Sequence, residues 1–131
     1  MSMHVDACKK CIQKCTDCIK ATEKCEDMGN ASEQRETEMK ACMLSCQSCI
    51  QACRECIEHC KKHLENCKDE KCVQACQDCI EKCEECIDAC EECSDLCESE
   101  DEEHSDLYQE CIDACNDCIE ACNKCIECSC C

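Results

Sequence analysis

Non-polar and polar positions along the chain follow steps of three and four residues. In CQDCIEKCEECIDACEEC, residues 76–93, this pattern continues for about five helical turns, and charged residues fill most of the intervening positions. Steps of three and four place the repeating residues on one face of an α-helix, at the a and d positions of a heptad. The pattern therefore predicts long amphipathic helices.

Cysteine occupies these repeating positions in four separate segments. Thr22 and His63 fill steps at which a cysteine is missing. The cysteines are Cys8, Cys11, Cys15, Cys18 and Cys25; Cys42, Cys46, Cys49, Cys53, Cys56, Cys60 and Cys67; Cys72, Cys76, Cys79, Cys83, Cys86, Cys90, Cys93 and Cys97; and Cys111, Cys115, Cys118, Cys122 and Cys125. The four segments predict helices at approximately residues 4–28, 32–67, 70–98 and 101–127, followed by a Cys-rich tail at 128–131.

Isoleucine and alanine flank the cysteines and widen each apolar face. Ile follows one set of cysteines, as at Ile80 and Ile87, and Ala precedes the other, as at Ala75 and Ala89. A stripe of this width is suited to burial in a helix bundle, and short connections favour antiparallel neighbours. We therefore predict a single all-α domain over 1–131, an antiparallel up-down-up-down four-helix bundle with a cysteine-lined core, in which Asp69 caps the third helix.

The composition makes these cysteines essential to the core. The chain has 28 Cys, no Pro, one Gly, no Phe and no Trp, and its conventional core residues are nine Ile, four Leu and two Val. These are too few to bury the apolar area on which a domain of 131 residues usually depends. A plain packing role for the thiols is the alternative, since buried free Cys behaves as a small hydrophobic residue.

The net charge of the chain and its expected cellular compartment limit the partners that it can bind. A net charge of −18 repels nucleic acid and anionic membranes. The first residues, MSMHVDACKK, lack the apolar segment of a secretory signal, and no apolar stretch is long enough to span a bilayer. We therefore expect a cytoplasmic protein. In a reducing compartment, a Cys-rich chain with almost no Gly or Pro favours metal binding over a disulfide scaffold.

The closely repeated thiols along the predicted helices favour Cu(I) as the metal. One Cu⁺ in place of each thiol proton leaves the core neutral, and bridging thiolates would hold between about 14 and 28 ions per chain. A Cys₄ zinc site or a four-iron cluster keeps about two negative charges, so a column of them is costly to bury. A multi-cluster iron–sulfur electron-transfer protein and a metallothionein-like zinc or cadmium buffer remain the alternatives.

Methionine and histidine side chains lie near both ends of the predicted bundle and are further candidate metal ligands. Thioether and imidazole groups there would pass Cu(I) to the thiolates, although Met and His at helix ends are commonly gap fillers or solvated. The candidate peripheral ligands are His4, Met39, Met43, His63, His104 and Cys128. No Ser-His-Asp set, phosphate loop or carboxylate pair calls for an enzymatic function.

The repeat ECIDACNDCIEAC at residues 110–122 resembles the repeats of the bacterial four-helix-bundle copper storage proteins. The resemblance runs from Ala7 to Cys125 and includes a histidine ahead of the last helix, His104. It implies a cytosolic or exported store of many Cu(I) ions, used for copper sequestration, supply or detoxification, and the lack of a secretory signal favours the cytosolic kind. It also implies homotetramers, and we expect a copper chaperone or efflux protein as a partner.

Overall fold

The computed structural model describes the backbone of residues 3–27, 32–99 and 106–128, which form four α-helices. Side chains are described for residues 5–25, 37–95 and 107–128. The helices are α1 (Met3–Asp27), α2 (Ser32–Asn66), α3 (Glu70–Ser99) and α4 (Asp106–Glu127). The predicted all-α fold is confirmed, whereas the predicted start of the fourth helix, at residue 101, lies outside the described residues.

The helices pack in a ring, with α1 against α2, α2 against α3, α3 against α4 and α4 against α1. The start of α1 faces the end of α2, since Cys8 contacts Cys56, and the middle of α1 contacts an earlier part of α2, since Cys18 contacts Cys46. Neighbouring helices are therefore antiparallel. The four helices form the predicted up-down-up-down bundle.

The connection between α2 and α3 is a tight turn at residues 67–69. The Asp69 carboxylate accepts a hydrogen bond from the Lys71 backbone N–H at 3.0 Å, and its carbonyl oxygen accepts the first α3 bond from Val73 N–H at 2.9 Å. The side chain thus pairs a backbone donor that the first turn of a helix leaves unsatisfied. The predicted N-cap is confirmed.

Cysteine forms the axis of the bundle. Of the 25 cysteines whose side chains are described, 23 are buried and two, Cys67 and Cys128, are half-buried. The isoleucines surround this axis, where most are half-buried between neighbouring helices and Ile50 and Ile112 are buried. The apolar walls and the thiol axis are therefore separate layers. Among the described residues, no helix combines the length and apolar character needed to cross a membrane.

Candidate metal centre

Neighbouring helices bring their cysteines together in a constant antiparallel register. Each step of three or four residues forward on one helix is matched by a similar step backward on its neighbour, so the contacting sulfurs form ladders. Between α1 and α2 the sulfur–sulfur distances are 3.6 Å for Cys8–Cys56, 3.6 Å for Cys11–Cys53, 3.4 Å for Cys15–Cys49 and 3.5 Å for Cys18–Cys46.

A second ladder joins α3 to α4, and a third joins α2 to α3. The α3–α4 distances are 3.6 Å for Cys76–Cys125, 3.6 Å for Cys79–Cys122, 3.5 Å for Cys83–Cys118, 3.6 Å for Cys86–Cys115 and 3.8 Å for Cys90–Cys111. The α2–α3 distances are 3.6 Å for Cys56–Cys79, 3.6 Å for Cys49–Cys86 and 3.7 Å for Cys42–Cys93.

The ladders combine into four levels, each with one cysteine from every helix. Every sulfur at these levels belongs to a residue with no exposed area. In order along α1, the levels are Cys8, Cys56, Cys79 and Cys122; Cys11, Cys53, Cys83 and Cys118; Cys15, Cys49, Cys86 and Cys115; and Cys18, Cys46, Cys90 and Cys111.

Several sulfurs form closed triangles, in which every pair is in contact. Cys18, Cys90 and Cys111 form a nearly equilateral one, with sides of 3.9, 3.8 and 3.8 Å. The centre of such a triangle lies about 2.2 Å from each corner, close to the length of a metal–thiolate bond. Two further triangles share no sulfur with it: Cys11, Cys53 and Cys118, with sides of 3.6, 3.6 and 4.0 Å, and Cys15, Cys49 and Cys86, with sides of 3.4, 3.6 and 3.9 Å.

Larger groups of four sulfurs overlap with one another. Within each group, all sulfurs lie within 4.8 Å of one another, which suits a shared metal ion. Cys8 and Cys79 belong to two of these groups, and so do Cys11 and Cys118. A sulfur that serves two groups can bridge two metal ions. The core is therefore a connected network of sulfur atoms, spaced so that they could hold several metal ions.

The thiols of this network differ in how readily they ionise. Hydrogen bonds with Cys11 and Cys115, together with burial, raise the pKa of the Cys15 thiol, whereas hydrogen bonds with Cys115 and Cys15 lower the pKa of Cys49. A thiol held as a donor keeps its proton, and one that accepts from its neighbours is easier to ionise. The same opposition, with the raised pKa first and the lowered pKa second, occurs at Cys83 and Cys118, Cys90 and Cys111, and Cys122 and Cys79.

At one end of the four levels, hydroxyl groups replace two of the thiols. Thr22 is fully buried, and its Oγ1 lies 3.5 Å from Cys42 Sγ and 4.0 Å from Cys18 Sγ. The buried Tyr108 hydroxyl accepts a hydrogen bond from the Cys25 thiol at 3.5 Å. The prediction that Thr22 continues the cysteine face is confirmed, whereas the contact of Tyr108 with Cys25 was missed. The sequence does carry a signal for this contact, since Tyr108 lies three residues before Cys111 and so continues the buried face of α4.

The other end carries an imidazole beside a thiol. His63 Nε2 lies 3.1 Å from the Sγ of the fully buried Cys72. Cys67 lies beyond the end of α2, where its thiol donates to the Asp69 carbonyl at 3.9 Å, so it faces the turn. Cys128 follows α4 and is half-buried. The imidazole of His63 thus lies in contact with a thiol at this end of the core.

The remaining predicted ligands divide by what the structure describes. Met39 is buried, and Met43 packs half-buried against the core. The side chains of His4, Cys97 and His104 lie outside the described residues. The other predicted cysteines of the helices are buried in the core.

Comparisons of the chain with protein-family models, with curated proteins and with solved structures find no match. The fold and the contacts of the thiols therefore carry the functional argument.

Proposed function

We propose that the protein is a non-enzymatic store for many Cu(I) ions, held by the cysteine thiolates along the bundle axis. The observation that carries this proposal is the sharing of sulfurs between overlapping groups, as at Cys11 and Cys118. Shared sulfurs favour bridging thiolates, and Cu(I) is a soft ion that thiolates select. Isolated four-sulfur sites would not need such sharing.

Charge favours Cu(I) over divalent ions in this core. The thiols at the four levels have no exposed area, so a net charge there is far from water. A Cu⁺ ion replaces one thiol proton and leaves the pair neutral, whereas a divalent ion with four thiolates keeps two negative charges. The cost grows with each further divalent ion, because their complexes repel one another. A filled column is therefore most stable with monovalent ions.

The triangles suit an ion with three ligands. A metal at the centre of Cys18, Cys90 and Cys111 lies in the plane of its sulfurs, at a distance of about 2.2 Å. Three contacts of similar length support three-coordinate Cu(I), and the fourth sulfur of the level, from Cys46, is available to a neighbouring ion. This arrangement supports a multinuclear copper–thiolate cluster.

The resemblance of residues 110–122 to copper storage proteins agrees with this proposal. The protein would act in the cytoplasm, sequester or supply copper, and exchange it with a copper chaperone or efflux protein. Peripheral ligands such as His63, beside Cys72, would take part in metal uptake. A homotetramer is part of the same proposal.

A zinc or cadmium buffer is a second candidate. Cys8, Cys56, Cys79 and Cys122 come from four different helices and form one group of four mutually close sulfurs. Four thiolates are the usual ligand set of a structural zinc site. Such a buffer would fill a few separate groups, because ions in overlapping groups compete for the same sulfurs.

The deciding experiment is an anaerobic titration of the reduced protein with Cu(I) in the presence of a chromophoric chelator of known Cu(I) affinity. A store takes up about 14 ions or more before the chelator gains copper, in line with the number of bridging thiolates. Saturation at about four to six ions, with zinc or cadmium displacing copper, would favour the buffer. A brown colour with acid-labile sulfide after expression would identify iron–sulfur clusters instead.

A further inference from the structure

The closed triangles of sulfurs suit a ligand other than a metal cation. In a trivalent arsenic thiolate, a lone pair occupies one side of the arsenic atom, and three sulfurs bind on the other side as the base of a pyramid. This geometry needs three thiols in mutual contact. Cys15, Cys49 and Cys86 meet that need, with every pair of sulfurs between 3.4 and 3.9 Å apart.

We propose that the triangles of core thiols are also binding sites for trivalent arsenic, taken up as neutral As(OH)₃ and held by three cysteines each. Three triangles share no sulfur, so the core would hold at least three arsenic atoms. They are Cys11, Cys53 and Cys118; Cys15, Cys49 and Cys86; and Cys18, Cys90 and Cys111.

The exchange is balanced without an oxidant or a reductant. Three As–O bonds break and three As–S bonds form, and each hydroxide leaves with one thiol proton as water. Arsenic stays trivalent and the sulfurs stay at the thiol level. One As(OH)₃ and three thiols therefore give one arsenic trithiolate and three water molecules.

Charge favours this ligand in the core. The product is neutral, so its burial among residues with no exposed area avoids the cost of burying an ion. The incoming molecule is also neutral, so the net charge of −18 does not repel it as it would an anionic complex. The reaction releases no protons, whereas the binding of Cu⁺ releases one for each thiol that it deprotonates.

The test uses the reduced full-length chain, incubated anaerobically with sodium arsenite, desalted and examined by native mass spectrometry. We expect at least three arsenic atoms per chain, each replacing three protons. X-ray absorption at the arsenic edge should show three sulfur neighbours and no oxygen. A bound species that keeps a hydroxyl has only two thiol ligands, and that result would overturn the proposal.

Matched variants locate the arsenic. Cys86 also forms a triangle with Cys90 and Cys115, with sides of 3.9, 3.6 and 4.0 Å. Serine at Cys18, Cys53 and Cys86 therefore breaks every closed triangle among the described residues, and circular dichroism checks that the helices remain. We expect this triple variant to lose about three arsenic atoms, one for each trithiol site. The control variant carries serine at three described cysteines outside the triangles, Cys25, Cys67 and Cys128, and should keep at least three arsenic atoms.

Equal losses in the two triple variants would refute the assignment to the triangles. If the core triple variant loses its helices, the absorption spectrum of the unsubstituted chain decides, since two sulfurs and one oxygen around arsenic would contradict a trithiol site. The proposal is independent of copper storage. Uptake of copper without arsenic would refute it alone, and uptake of arsenic without copper would refute only the copper store.

Discussion

Replacement of Cys118 by serine tests whether shared sulfurs determine the copper capacity. Cys118 Sγ contacts one cysteine from each of the other helices, at 3.6 Å from Cys11, 4.0 Å from Cys53 and 3.5 Å from Cys83. It is a corner of one triangle and a member of at least two groups of four sulfurs. Replacing the Cys118 sulfur with oxygen therefore removes three described contacts between helices, as many as any other single cysteine makes.

The expected loss of copper capacity follows from charge balance and from the sharing of one sulfur between several metal sites. With one Cu⁺ for each thiolate, the loss of one thiolate removes at least one ion from a neutral core. Because the triangle and at least two four-sulfur groups lose a member, we expect Cys118→Ser to bind about two fewer ions. Serine keeps the size close to that of cysteine, so the helices should remain folded.

The assay is the anaerobic Cu(I) titration against a chromophoric chelator, with protein and copper quantified independently. Cys67→Ser is the matched control, since Cys67 is half-buried and its thiol faces the Asp69 carbonyl at the turn. We expect this control to lose less than about one ion. An unchanged capacity for Cys118→Ser, or a loss no larger than that of the control, would refute the reasoning from shared sulfurs.

Three further predictions concern stability. Copper loading should raise the midpoint of thermal unfolding by about 10 °C or more, because each site held at 100 times its dissociation constant adds about 2.7 kcal/mol; an unchanged midpoint would contradict binding to the folded core. Hydrogen bonds with Cys11 and Cys118, with burial, raise the pKa of Cys83, so its contribution to metal-free stability is present below about pH 8.5 and lost as the pH rises. Cys83→Ser should therefore reduce the fall in urea-unfolding free energy between about pH 8 and 10, and an identical fall in both proteins would show that Cys83 does not contribute. Asp69→Ala should cost about 1 kcal/mol in the same urea assay, while Asp69→Asn, which keeps the cap, should cost less; equal costs would argue against capping.

The helices and their buried face could be predicted from local pattern alone. Steps of three and four define one face of a helix, so the burial of Cys53 or Thr22 follows from sequence position. The assignment of levels could not be predicted, because the contact of Cys8 with Cys56 depends on the shape of the turns and on how far each helix extends before it reverses. The half-burial of Cys67 has the same cause, since α2 ends at Asn66 and the chain leaves the axis there.

The hydrogen bond between Tyr108 and Cys25 has an optical consequence. Tyr108 is the single tyrosine of a chain without tryptophan, so all of the ultraviolet emission of the protein comes from one ring at one end of the thiol axis. A heavy atom or metal that binds at that end should quench this emission, whereas filling of the opposite end should leave it bright. The order in which the emission fades during a titration would then report the direction in which the bundle fills.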